Sequence, residues 1–222
     1  MAVNIIKYKE IKAELDRKQV TLIAVSKTKP VEDIQALYDL GHRDFGENYV
    51  QELTEKYAAL PKDIRWHFIG HLQSNKVKFI APFVHLIHGV DSENLLKEIN
   101  KQGAKNNRII DCLLQIYIAK EETKFGFDES EIEQLTGLAD FNNICIRGFM
   151  GMASFTEDNL MIQKEFAGLK KLFDQFKTTQ STNINLQTIS MGMSSDYHIA
   201  VAEGSTMVRI GSLLFGERIY NK

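Results

Sequence analysis

The sequence predicts a (β/α)8 barrel, and three observations carry that prediction. Short apolar segments alternate with amphipathic ones along the chain. The connections between them are a few residues long, as strands joined by crossover helices require. The alternation repeats eight times, the count that closes a parallel sheet where a doubly wound fold would leave it open. With three prolines in 222 residues, and no Ser/Gly-rich linker, low-complexity tract or charge block, residues 1–222 read as one domain.

An extra amino-terminal helix is expected over 4–17, where Ile5, Tyr8, Ile11 and Leu15 recur three or four apart. The first strand is 21–26, followed by a helix over 30–40 with Pro30 suited to its first turn. Strand two is short, 44–46, with a helix over 48–59; strand three is 65–69, with a helix over 74–79. Strand four, 84–90, precedes a helix over 93–101. Strand five, 109–118, is followed by Ile132, Leu135 and Leu138 at helical spacing. The sixth strand is 144–150, and its helix has the clearest period in the chain: Ile162, Phe166, Leu169, Phe173 and Phe176. Strand seven is 186–190, with a helix over 196–203 stopped by Gly204. Strand eight is 207–210, and a short helix from Leu213 finishes the unit.

In such a barrel the residues that follow each strand share one face, and function is built there. Lys27 ends the apolar run of strand one. It either begins a loop or is presented at the barrel mouth, where lost hydration lowers an ammonium pKa and makes the amine a nucleophile for an aldehyde. Gly46-Glu47-Asn48-Tyr49 follows strand two, and the polar run from Gly70 to Lys76 follows strand three. After strand seven, Gly192-Met193-Ser194-Ser195-Asp196 closes a strand and opens a helix, and Gly211-Ser212 does the same after strand eight. Ser194 and Ser195 are either plain helix caps or, with Gly211 and Ser212, part of a phosphate site at two helix starts. Arg209 is a guanidinium inside a buried strand. It needs either a structural carboxylate or a role as a fixed donor toward a ligand ring nitrogen or anion.

Other features exclude functions. A net charge of −2 gives no electrostatic case for nucleic acid or an anionic membrane. No apolar run reaches transmembrane length, and residues 1–20 carry no signal-peptide core. Cys112 and Cys145 lie in apolar runs and read as reduced, buried thiols, which fits a cytoplasmic address. His67 and His71 lack the glutamate of a helical zinc site, so no metal is expected. His85 and His88 read as hydrogen-bonded interior residues of strand four. Gly41 to Gly46 lacks the spacing of a dinucleotide fingerprint, and the stripe from Ile162 to Phe176 reads as core packing.

Several segments, met in order, resemble one family. They are Ala24-Val25-Ser26-Lys27-Thr28-Lys29, Phe45-Gly46-Glu47-Asn48-Tyr49-Val50-Gln51-Glu52 and Trp66 through Lys76. Gly148-Phe149-Met150-Gly151-Met152, residues 186–196 with Ser190-Met191-Gly192-Met193-Ser194, and Val208-Arg209-Ile210-Gly211 complete the set. The chain resembles the pyridoxal phosphate homeostasis proteins, relatives of the alanine racemase amino-terminal barrel, over nearly its whole length. The resemblance implies a fold-type III barrel carrying pyridoxal 5′-phosphate (PLP). Lys27 matches the lysine that holds the cofactor as a Schiff base, and Ser194, Gly211 and Ser212 match phosphate-binding positions. Arg209 matches the arginine facing the pyridine nitrogen, Asn48 an asparagine near the ring substituents, and Met191 a residue lining the ring face. Ser212 stands where some relatives carry threonine, and the hydroxyl is kept.

The function the resemblance implies is PLP binding in vitamin B6 homeostasis, without catalytic turnover. The sequence stops after the eighth unit, so the second domain of the racemases, with its catalytic tyrosine, is expected to be lacking. The alternative is a PLP-dependent amino-acid racemase; a Schiff-base aldolase or an interaction scaffold are weaker rivals. Expected partners are PLP, other B6 vitamers and, transiently, PLP-dependent apo-enzymes, with the chain a monomer or a weak dimer.

Overall fold

The computed structural model describes residues 3–118, 126–134, 141–178 and 182–216. Eight strands form a closed, all-parallel barrel in chain order: β1 (Thr21–Val25), β2 (Asp44–Glu47), β3 (Arg65–Phe68), β4 (Leu86–Val90), β5 (Ile110–Gln115), β6 (Ile144–Met150), β7 (Ile184–Ser190) and β8 (Met207–Ile210). Closure runs through Thr21↔Met207, Leu22↔Val208, Ile23↔Arg209 and Ala24↔Ile210. The sequence expectation of a (β/α)8 barrel is met, short second and third strands included.

Helices surround it: α1 (Ile5–Arg17), α2 (Val31–Asp39), α3 (Val50–Ala59), α4 (Val77–Ile80), α5 (Glu93–Lys105), α6 (Glu129–Gln134), α7 (Asn159–Phe176), α8 (Tyr197–Ala202) and α9 (Ser212–Phe215). α1 starts where the Asn4 side chain accepts the Lys7 N–H at 3.0 Å, and it buries Tyr8, Ile11 and Leu15. α7 starts where Asp158 accepts from Leu160 and Met161, and it buries Ile162, Phe166, Leu169 and Phe173. The main core lies between barrel and helices, with Phe45, Trp66, Phe68, Phe149 and Phe166 fully enclosed. No helix among the described residues is long and apolar enough to cross a membrane.

Several boundaries differ from the sequence reading. The helix expected from 48 begins at Val50, because Tyr49 stays extended at the rim. The segment 74–79 is a 3-10 turn (Ser74–Lys76) leading into α4. β4 starts at Leu86, so His85, expected inside, is exposed at the lower mouth with its ring centroid 5.2 Å from that of His67. Leu135 and Leu138 lie outside the described residues.

Strand parity sorts the side chains. In β1, Leu22 and Ala24 join the outer core, while Ile23 points inward to an interior cluster with Leu86, Leu113, Met150 and Met207. The register slips between Cys112 and Leu113 and between Ile146 and Gly148. At the second slip Gly148 has φ +153°, and a Cβ there would lie 1.7 Å from the Thr188 carbonyl oxygen, so only glycine fits.

Candidate functional site

At the carboxyl end of the barrel a cavity of about 560 Å³ is lined by Val25, Lys27, Asn48, Ser194, Arg209, Gly211 and Ser212, among others. Six of the seven sequence-derived site residues therefore meet in one place. The exception is Met191. It is fully buried in the outer core and does not line the cavity. Its neighbour Ser190 points inward to His88 and Arg209, so alternation turns Met191 toward the helices.

Lys27 reaches the cavity by the parity of β1. Thr21 lines the lower mouth, Ile23 the interior, and Val25 and Lys27 the upper cavity. The chain then turns sharply, with the Lys29 N–H donating to the Ser26 carbonyl at 3.0 Å. Thr28 in that turn has φ +63°, a left-handed conformation unusual for a β-branched residue.

Opposite, the β7 and β8 exits bring Ser194, Gly211 and Ser212 together, the group expected from sequence to seat an anion. Gly192, at φ +93°, opens the first loop, and a Cβ there would lie 2.5 Å from that of Ala200. The Asp196 carboxylate accepts the Met193 N–H at 2.5 Å, and the Ser194 hydroxyl accepts the Gly211 N–H at 3.2 Å, tying the two loops together. Burial raises the Asp196 pKa above the usual carboxylate value. α8 and α9 have six and four residues, so the helix-start argument is modified: an anion here would meet hydroxyls and backbone N–H groups more than long dipoles.

Arg209 is 4% exposed, and no carboxylate pairs with it at salt-bridge distance among the described residues. It donates from Nη1 to the Ser190 carbonyl (2.8 Å) and Oγ (2.7 Å), and from Nη2 to the Gly151 carbonyl (3.1 Å). Of the two roles open from sequence, the structural-carboxylate one is thus removed. Burial lowers its pKa to about 10, which leaves it cationic at neutral pH.

Behind Arg209 a hydrogen-bond chain crosses the barrel, and sequence reasoning missed it. Ser190 Oγ lies 3.0 Å from His88 Nδ1, His88 Nε2 lies 3.0 Å from His67 Nδ1, and His67 Nε2 lies 3.1 Å from Asp44 Oδ1. Arg65 donates to both Asp44 oxygens, at 2.5 and 2.6 Å. Because an ionised carboxylate only accepts, His67 must carry its proton on Nε2, His88 must donate to His67, and Ser190 must donate to His88. Burial lowers the pKa of both rings, His88 well below its ordinary value, which favours the neutral forms this pattern uses. Burial alone would raise Asp44, but the Arg65 and His67 bonds hold it far below the usual range.

A second missed network lies beneath the Lys27 turn. Lys56 on α3 donates to the Ser26 carbonyl, Glu47 Oε1 and Glu52 Oε1, each at 2.7 Å. Its sequence signal was the spacing of Leu53 and Lys56, three apart on the buried face of α3. Burial pushes Glu47 up to about 7, against the Lys56 and Ser26 bonds that favour its ionised form.

The residues fit a planar phosphate ester bearing an aldehyde. Lys27 stands at one wall, and the hydroxyls and backbone N–H groups of Ser194, Gly211 and Ser212 at the other are of the kind that could receive an anion. The buried cation supplies donors, and Asn48 Oδ1 is enclosed with no hydrogen-bond partner among the described residues, an orphaned acceptor that a ligand donor could satisfy. Cys112 and Cys145 are both buried away from it, and burial pushes their thiols up.

The family model for the alanine racemase N-terminal domain matches residues 6–219. A pyridoxal phosphate homeostasis protein of Aquifex aeolicus is 41% identical over 201 residues, spanning 90% of this chain and 87% of that one. The structure of PipY of Synechococcus elongatus with PLP bound is 35% identical with a TM-score of 0.85, covering 95% of this chain and 98% of that one. An alanine racemase of Clostridium difficile shares the fold at a TM-score of 0.74 and 11% identity, covering 99% of this chain and 59% of that one.

Proposed function

The chain belongs to the alanine racemase N-terminal domain family, among the pyridoxal phosphate homeostasis proteins, and from that membership we propose that it binds PLP and serves PLP homeostasis. We propose further that Lys27 holds the cofactor as a Schiff base. The observation that carries this reading is the convergence of Lys27, Asn48, Arg209 and the Ser194–Gly211–Ser212 seat in one cavity.

When bound, PLP would supply an aldehyde for amine capture and a ring that can accept electrons. The protein's part is to bind and orient. Ser194, Gly211 and Ser212 would hold the phosphate, Asn48 would accept from a ring substituent, and Arg209 would supply a donor to the ring nitrogen. A permanent cation there would keep that nitrogen unprotonated and weaken the ring as an electron sink, which would favour holding the cofactor over turning over amino acids. The Ser190–His88–His67–Asp44 chain fixes the guanidinium from behind. Release to PLP-dependent apo-enzymes completes the reading.

The test is spectroscopic. The purified protein mixed with PLP develops the absorbance of a Schiff base, and Lys27→Ala abolishes it. A Lys27→Ala variant that retains that band overturns the assignment. Measurable alanine racemisation dependent on Lys27 would replace the carrier by an enzyme.

A further inference from the structure

We propose that Lys56, Glu47 and Glu52 are positioning residues for Lys27: a buried ionic tripod that grips the turn on both sides of the amine and fixes the direction in which it is presented. The inference rests on the reading of Lys27 as the PLP-binding lysine and names the device that aims it.

The geometry is specific to the turn. Ser26, on one side of Lys27, is bound twice: its carbonyl accepts from Lys56 Nζ at 2.7 Å, and its hydroxyl donates to Glu47 Oε1 at 2.7 Å. Thr28, on the other side, donates its N–H to Glu52 Oε1 at 2.6 Å. Lys56 joins the two grips by donating to both carboxylates, which uses all three of its ammonium protons. The Lys56 side chain is 6% exposed, Glu47 0% and Glu52 22%, so the triad works largely out of water.

A purely structural role accounts for this less well. An ion cluster needed only to join α3 to the barrel would have no reason to spend three of its bonds on the residues flanking one lysine. Burying an ammonium is costly and adds little net stability over apolar packing. Thr28 is in a left-handed conformation that disfavours threonine, and the charged acceptor on its N–H holds it there. The strain sits next to the amine, where its release would swing Lys27 away from the cavity.

The experiment compares full-length wild type, Glu52→Ala, Lys56→Met and Lys27→Ala in two measurements. One is the rate of Schiff-base formation with PLP, followed by absorbance. The other is the affinity for pyridoxine 5′-phosphate, which lacks the aldehyde. Glu52→Ala and Lys56→Met are expected to form the adduct roughly ten- to a hundred-fold more slowly, with affinity for the aldehyde-free analogue unchanged. In the ligand-free protein, the Thr28 amide loses hydrogen-exchange protection in Glu52→Ala. Should Lys56→Met fail to fold, the partly exposed Glu52 decides alone. Wild-type rates in Glu52→Ala, or equal losses of rate and of analogue affinity, overturn the tripod. Those outcomes leave the Lys27 reading standing as long as Lys27→Ala stays inert; a Lys27→Ala protein that still forms the adduct sinks that reading instead.

Discussion

Glu47 is a carboxylate whose burial outweighs its pairing with Lys56, so its pKa rises from 4.5 to about 7. A group raised in the folded state favours folding at low pH, and that contribution disappears as pH climbs from about 4.5 through 7. Glu47→Gln should therefore be more stable relative to wild type at pH 8 than at pH 4, by on the order of 3 kcal/mol; urea titrations at both values check this. Ser194 makes a different contribution, joining the two loops of the anion seat through the Gly211 N–H. Ser194→Ala should weaken pyridoxine 5′-phosphate about ten-fold, read by calorimetry, without changing the thermal midpoint much. At this scale the sequence was informative where a residue type was out of place, as with Arg209 in an apolar strand. Met191 was misplaced because the motif around it could be recognised while the parity of β7, in which Ser190 points inward and Ile189 and Met191 outward, could not be read before the strand was in place.

Elements were legible where periodicity was strong. The stripe of α7 and the apolar run of β1 both appear in the structure with boundaries within a few residues of expectation. β7 was read two residues short because Ile184 and Asn185 are only half-buried and carry no clean alternation. The bulges in β5–β6 and β6–β7 left no sequence signal except Gly148 itself. That glycine gives a sharp prediction. Gly148→Ala forces a methyl against the Thr188 carbonyl and must displace β7 backbone, so a loss of about 3 kcal/mol or more is expected in the urea midpoint. Gly168→Ala, on α7 with nothing beyond its chain neighbours and the helix's own backbone within 4 Å of its added methyl, should by contrast stabilise the protein by roughly 0.5–1 kcal/mol.

For the molecule as a whole, the count of eight units gave the architecture, because a closed cylinder is the arrangement that leaves no strand edge. What could not be read was the polar interior, since His67, His88 and Asp44 become partners only once β2, β3 and β4 are side by side. Those buried rings set the acid response. Burial lowers His42 to about 4, and His67 and His88 are lowered as well. A depressed imidazole contributes stability above about pH 6.5 that is lost as pH falls through its folded value. The thermal midpoint should therefore drop between pH 6.5 and 4, and more shallowly in His42→Phe. That variant also loses the hydrogen bond to the Asp44 carbonyl, about 1 kcal/mol at neutral pH.

The parity that delivers Lys27 to the cavity has one more consequence. Position 27 shares its orientation with 21, 23 and 25, so the strand works as a ruler graduated in steps of two. Deleting one residue between Thr21 and Lys27 would hand the ammonium to the oily jacket of the cylinder and put a hydrocarbon in its stead. Lengthening the loop between α1 and β1 by one would leave the aim untouched. Tolerance to single insertions and deletions should thus fall abruptly at Thr21, a cliff that a scanning library of one-residue indels would trace.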